Sequence, residues 1–355
     1  MCNTIISYCI VFILIPENLN LPLDPDMAQN QTQFVKEDSL IPQEPDQPLT
    51  TSNFTKYIQT PPLSIIYVEV NRNNFQNVAC YTRTHSTNNS LFHIGIIFAA
   101  NINLSPTNKT AVLHMNENVV KVLSNVDRYV RPLQKRGIKV LLSILGNHQG
   151  AGFCNFPDIQ SARDFATQLS ETVSRYGLDG VDLDDEFVQY GENETDKPNA
   201  FSFVYFLREL RALMPKKIIS FYFIGPASTR LTYGDLSAGD YLDYSWNPYY
   251  GTYSVPKLPK LGKARLSPAA VDVTGTNIIS AQNLAERTVR DGYGAFMMYD
   301  LPNTDISRYL GRISEKFYGS GSTVEKGCLQ GWEVKKNETG VNLRGAEGDK
   351  SLGVR

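Results

Sequence analysis

Residues Tyr176–Glu186 read YGLDGVDLDDE, and four of the acids fall in the spacing Asp179-x-x-Asp182-x-Asp184-x-Glu186. Val181 and Leu183 alternate with the acids and mark the run as a strand. Alternate strand residues share a face, so Asp182, Asp184 and Glu186 point the same way. Three carboxylates on one buried face cannot all ionise, and at least one must keep its proton near neutral pH. A protonated glutamate at the end of such a strand is what general acid catalysis needs. Two blander readings stay open: a solvated acidic loop, and a site for Mg2+ or Ca2+.

The acids need a scaffold, and the surrounding chain supplies a repeating one. Ser64–Val70, Leu91–Ala100 and Ile138–Leu145 are continuous apolar runs, suited to strands buried on both faces of a parallel sheet. Leu178–Glu186, Lys217–Gly225, Leu242–Tyr250, Arg265–Val273 and Tyr293–Leu301 complete a set of eight. Helical spacing is expected over Asn116–Arg136, Asp158–Tyr176, Lys197–Leu213, Ser280–Asp291 and Thr304–Phe317. The connections around strands five to seven are rich in Gly and Pro and carry no convincing long helix. The pattern predicts an α/β fold, a TIM (β/α)8 barrel with some helices degraded or missing around strands 5–7. A doubly wound open sheet is the alternative. It is disfavoured because no glycine-rich phosphate fingerprint follows the first strand.

Composition narrows the functional classes. Lys plus Arg number 34 against 36 Asp plus Glu, which leaves no broad basic surface for nucleic acid. A hydrophobic fraction of 42% excludes wholesale disorder. Five cysteines without a CxxC pair, and only four histidines, predict neither a disulfide scaffold nor a structural metal. Carboxylates and aromatics are left to do the work, and no cofactor or metal is expected.

The chain divides into three expected parts. Residues 1–62 hold an apolar run over 5–15 of signal-peptide length, then a linker or tail carrying eight of the 19 prolines. That run predicts a secreted protein without a membrane span, or a cytoplasmic one if translation starts at Met27. Residues 63–318 form the barrel domain, and 319–355 read as a flexible C-terminal tail. Seven Asn-x-Ser/Thr sequons, at Asn30, Asn53, Asn88, Asn103, Asn108, Asn193 and Asn337, are suggestive of a glycosylated secreted protein.

The acid spacing is the signature of glycoside hydrolase family 18. The stretches YVEV, IFAANIN, RPLQKRGIKVLLSILGNHQGAGF, SWNPYYGTY and LSPAAV resemble its endo-β-N-acetylglucosaminidases over roughly Leu63 to Tyr318. The resemblance implies hydrolysis of the N,N′-diacetylchitobiose core of Asn-linked glycans, high-mannose or hybrid, by a monomer needing no cofactor. The family is an exception to the two-carboxylate rule, because the substrate's own acetamido group is the nucleophile. Glu186 would be the acid and then the base, Asp184 would hold the acetamido N–H, and Asp182 would share a proton or hydrogen bond with Asp184. By the same match Asn247-Pro-Tyr-Tyr250 would sit where chitinases carry Met-x-Tyr-Asp, with Asn247 and Tyr249 as substrate contacts and Tyr250 in place of the chitinase Asp. Tyr249 would then bond the acetamido carbonyl, unless it is packed in the core. Tyr222, Tyr299 and His148 are expected along the cleft. A chitinase of the same family and an inactive glycan-binding lectin are the alternatives. The eighth strand, GYGAFMMYDL, lacks the tryptophan that floors the chitinase cleft, which disfavours chitin.

Overall fold

The computed structural model describes residues 61–85 and 90–333. The expected signal-like run, the start at Met27 and the sequons at Asn30, Asn53, Asn88 and Asn337 lie outside them. Eight parallel strands form the barrel: β1 (Leu63–Glu69), β2 (Ile94–Leu104), β3 (Lys139–Gly146), β4 (Gly180–Asp184), β5 (Ile218–Tyr222), β6 (Tyr244–Trp246), β7 (Leu266–Ser267 and Ala269–Asp272) and β8 (Ala295–Tyr299). Pro268 splits β7, having no N–H to give a ladder. The first half of β7 pairs with β6 and the second with β8, which closes the ring.

The barrel interior is packed by Ile65, Tyr67, Ile94, Ile96, Leu141, Tyr222, Trp246, Ala270, Ala295 and Met297. They alternate along their strands with residues that face the helices, as strand periodicity requires. Outside, α4 (Ile159–Tyr176) lays Ala162, Phe165, Ala166, Leu169 and Val173 on the sheet at helical spacing. Asp158 caps its first turn by accepting from the Ser161 N–H at 2.7 Å, and Gly177 ends it at φ 61°. Phe206 of α5 (Ser202–Leu213) stacks on Phe153 at 5.4 Å between centroids. The helix α6 (Ile278–Arg290) packs on β7 and β8, and Phe317 of α7 (Ser307–Tyr318) meets Phe296 of β8 at 5.1 Å between centroids.

Three expectations change in detail. The segment 116–136 is not one helix but three, α1 (Glu117–Ser124), α2 (Val126–Tyr129) and α3 (Arg131–Lys135), with Pro132 opening the last. No α-helix follows β5 or β6; 3-10 turns and a short hairpin follow β5, and a 3-10 turn with a two-residue strand paired to β7 follows β6, in line with the expected degradation. Residues 319–333 are folded rather than a loose tail. Ser322–Val324 pairs with Tyr81–Arg83, and Cys80 is bonded to Cys328 across a separation of 248 residues. Trp332 donates from Nε1 to the Val70 carbonyl at 2.6 Å and packs on Tyr129. Sequence reading missed this strap because its hold comes from distant partners, not local periodicity. Among the described residues, no helix is long and apolar enough to cross a membrane.

Candidate active site

At the foot of β4, Asp179 accepts from the Val140 N–H at 3.0 Å and the Gln134 side chain at 2.9 Å, and pairs with Lys139 at 3.2 Å. All three contacts tie β3 and α3 to β4. Its place in the motif is therefore architectural.

Asp182 lies inside the barrel, fully buried, and its carboxylate accepts from Tyr67 Oη at 2.8 Å, Ser143 Oγ at 2.9 Å and Ser220 Oγ at 2.6 Å. Tyr67 in turn accepts from Trp246 Nε1 at 2.6 Å. Burial pushes Asp182 up to about 6, and its three donors oppose that rise. Sequence reasoning missed Tyr67, Ser143, Ser220 and Trp246. Each is an ordinary strand residue whose role appears only when four strands meet around one carboxylate.

Asp184, one pleat further, is 2% exposed, and its buried Oδ1 has no hydrogen-bond partner. Burial, then the charges of Glu186, Asp182 and Asp185, raise it well above the ordinary carboxylate range. Glu186 lies two residues past β4, half-buried at the C-terminal rim. Burial lifts it to about 7. The two form a crowded pair that retains at least one proton near neutrality. Gly146 admits this geometry: a Cβ there would stand 2.2 Å from the Glu186 carbonyl oxygen.

Asp185 faces the opposite side. Its carboxylate accepts from the Tyr190 hydroxyl and from the Ala227 N–H at 2.8 Å, and Cys154 Sγ stands 3.6 Å away. It thereby joins the loops that follow β3, β4 and β5. Gly225, at φ 67°, permits the close approach, since a Cβ there would lie 2.0 Å from the Asp185 carbonyl oxygen.

The aromatic candidates separate. Tyr222 is buried and donates from Oη to the Pro248 carbonyl at 2.7 Å. Tyr250 stacks on Tyr299 at 5.2 Å, and its hydroxyl end turns toward Tyr222 within the field of Asp184. Tyr249 is 59% exposed and Tyr250 39%, and it is Tyr250 whose ring lies on Tyr299. Asn247 is not the substrate contact that was expected. It is fully buried, with Nδ2 donating to Thr252 Oγ1 and the Pro268 carbonyl, each at 3.0 Å. Its Oδ1 accepts from the Tyr249 N–H at 3.0 Å. These bonds leave it no group for substrate; it pins the turn that aims Tyr250. His148 is exposed at φ 55°, beside Phe187 at 5.5 Å. Among the described residues, no group of three or more His, Cys, Asp or Glu side chains is arranged to hold a metal ion.

A barrel whose fourth strand delivers a buried aspartate and a proton-holding glutamate to its rim has the means to cut bonds between sugars. The chain belongs to glycosyl hydrolases family 18, whose model matches residues 77–268. It is a glycoside hydrolase, similar in sequence to endo-β-N-acetylglucosaminidases. Identity to that of Flavobacterium sp. (strain SK1022) is 53% over 262 residues, 74% of this chain and 82% of the relative. Identity to endo-β-N-acetylglucosaminidase F1 of Elizabethkingia meningoseptica is 33% over 246 residues, 67% of this chain and 71% of that one. Among solved structures, Bacteroides thetaiotamicron EndoBT-3987 with Man5GlcNAc product matches at a TM-score of 0.67 and 25% identity. That match covers 74% of this chain and 62% of the Bacteroides chain, so less than two thirds of the latter's length is represented.

Proposed function

We propose that the protein is an endo-β-N-acetylglucosaminidase that cuts the N,N′-diacetylchitobiose core of Asn-linked glycans of high-mannose or hybrid type. One N-acetylglucosamine stays on the protein, and the remaining glycan leaves. The carrying observation is the contrast within the acid pair, a glutamate lifted to about 7 beside a buried aspartate with an unpartnered oxygen. Glu186 protonates the glycosidic oxygen while the substrate's 2-acetamido oxygen attacks the anomeric carbon. Asp184 receives the acetamido N–H and stabilises the oxazolinium. The charge of Asp182 helps Asp184 keep its proton, and Tyr250 takes the carbonyl-binding role that sequence matching gave to Tyr249. Glu186 then deprotonates the incoming water, so that configuration is retained.

The relatives named above support the N-glycan as substrate. Neither tryptophan is free to floor a chitin cleft: Trp246 is buried in the barrel, and Lys121 lies 3.9 Å above the ring of Trp332. A site complete within one chain supports action as a monomer. The Cys80–Cys328 disulfide supports an oxidising, secreted destination, where the exposed Asn108 and Asn193 could carry glycans.

Incubation with a high-mannose glycoprotein, and separately with chitin oligomers, tests the reading. Release of a glycan ending in one N-acetylglucosamine is expected. Cleavage of chitin alone would identify a chitinase instead, and binding without cleavage a lectin.

A further inference from the structure

On β1, Ile65, Tyr67 and Glu69 share the inward face, and Glu69 is the last of them before the rim. Tyr67 reaches Asp182, so Glu69 stands one pleat closer to the mouth. It pairs in register with Phe98 of β2, and Phe98 meets Tyr299 edge-on at 5.7 Å. Tyr299 stacks on Tyr250. An acid thus sits among the aromatic rings on the side of the mouth across from Glu186.

Glu69 is 6% exposed, and its carboxyl is sparsely served. Its Oε1 accepts from the Asn71 N–H at 3.1 Å, and among the described residues no hydrogen bond reaches Oε2. The neighbouring cation does not pair with it. Arg72 donates instead to Asp300 at 2.9 Å, and Asn73 donates to the same carboxylate at 2.8 Å. The loop is held in that arrangement by the C-terminal strap: Asn74 donates to the Gly331 carbonyl at 3.0 Å and Asn77 to the Gln330 carbonyl at 2.9 Å. Burial, with the nearby charge of Asp300 adding to it, lifts Glu69 to about 7 against the Asn71 hydrogen bond. Oε2 is left without a protein donor, so an incoming hydroxyl group can bond it.

We propose that Glu69 is a substrate-binding residue that takes a hydroxyl group of the glycone, the part of the glycan that leaves, and so fixes that sugar against Tyr299. Resting on the reading above, this assigns the β1–β8 side of the mouth to the departing glycan. Aromatic faces hold a pyranose by its apolar side, and a carboxylate between them fixes its rotation by bonding an edge hydroxyl. Above about pH 7, where Glu69 is ionised, that bond is charge-assisted and among the stronger ones available to a sugar.

The test measures binding in a chain made unable to hydrolyse by Glu186→Gln. The probe is a free high-mannose glycan retaining its chitobiose core, titrated calorimetrically into that parent and into versions also carrying Glu69→Gln or Glu69→Ala. Affinity should fall about 10- to 100-fold with alanine, and less with glutamine, which keeps one acceptor oxygen. The melting temperature should hold. Unchanged affinity in either folded double variant, beyond the retention that glutamine allows, would overturn the proposal. So would loss of the folded state in both, since Glu69 would then be structural. If the parent bound no N-glycan, the substrate reading would fail first. The same comparison with chitin oligomers would then decide Glu69 separately.

Discussion

Asp184 and Asp185 are adjacent in sequence and equally withdrawn from solvent, each 2% exposed, yet they face opposite sides of one strand end. Asp185 is served by a phenol, a backbone N–H and a thiol, and it binds three loops together. Asp184 has an oxygen with no partner and acidic neighbours around it. Burial alone therefore does not distinguish a structural acid from a working one. What distinguishes them is whether the fold completes the hydrogen bonding or leaves it for a ligand. Folding a chain around an unsatisfied acid lowers stability, and that loss is tolerated where catalysis needs the group.

The largest effect should come from the partner that makes Asp184 useful. Glu186→Gln removes the transferable proton and should lower hydrolysis by at least about 10²–10⁴-fold while leaving the fold intact, because one group serves as acid and base. Release of glycan at near wild-type rate by the purified variant would break the assignment.

Asp185→Asn should behave in the opposite sense. The amide presents N–H where the carboxylate accepted, so about 1–3 kcal/mol of stability should be lost. Activity should fall less than tenfold in the molecules that remain folded. Thermal melts alongside specific activity check this, and a variant as stable as wild type would remove the structural role.

A smaller effect concerns pH and stability. Asp182 is raised to about 6, and Glu69, Asp185 and Glu186 each to about 7. Their unfolded values lie near 4. Between those limits the folded chain holds more protons than the unfolded one, so these groups make stability fall as pH rises from about 4 to about 7. Asp184 is raised as well and adds to the slope. Asp184→Asn should flatten the fall relative to wild type, as read from melting temperature across that window. An unchanged slope would mean that Asp184 does not hold its proton.

Much of this was legible in the sequence, and for a definite reason. Strand periodicity set Asp182 and Asp184 on one face, and the eight apolar runs gave the barrel that makes that face inward. Glu69 also carried a signal, an acid alternating with Tyr67 inside the apolar run YVEV, but one acid at a strand end lacks the crowding that exposed the β4 cluster. That Asn247 is spent on the turn was not legible. It depends on Asn247 bonding to Thr252 and Pro268, contacts made across a turn and to another strand. The strap over 322–333 was hidden because its anchors, Cys80 and Val70, lie more than two hundred residues away.

The central claim is that Asp184 serves the substrate's acetamido group, not the proton transfer. The most direct measurement compares wild type with Asp184→Asn on two donors, an intact N-glycan and a preformed sugar oxazoline. The variant should hydrolyse the glycan slowly, for want of help in forming the ring, yet still consume the oxazoline, in which that ring already exists. Hydrolysis of the glycan at wild-type rate would contradict this, as would loss of both reactions in a variant that still binds glycan.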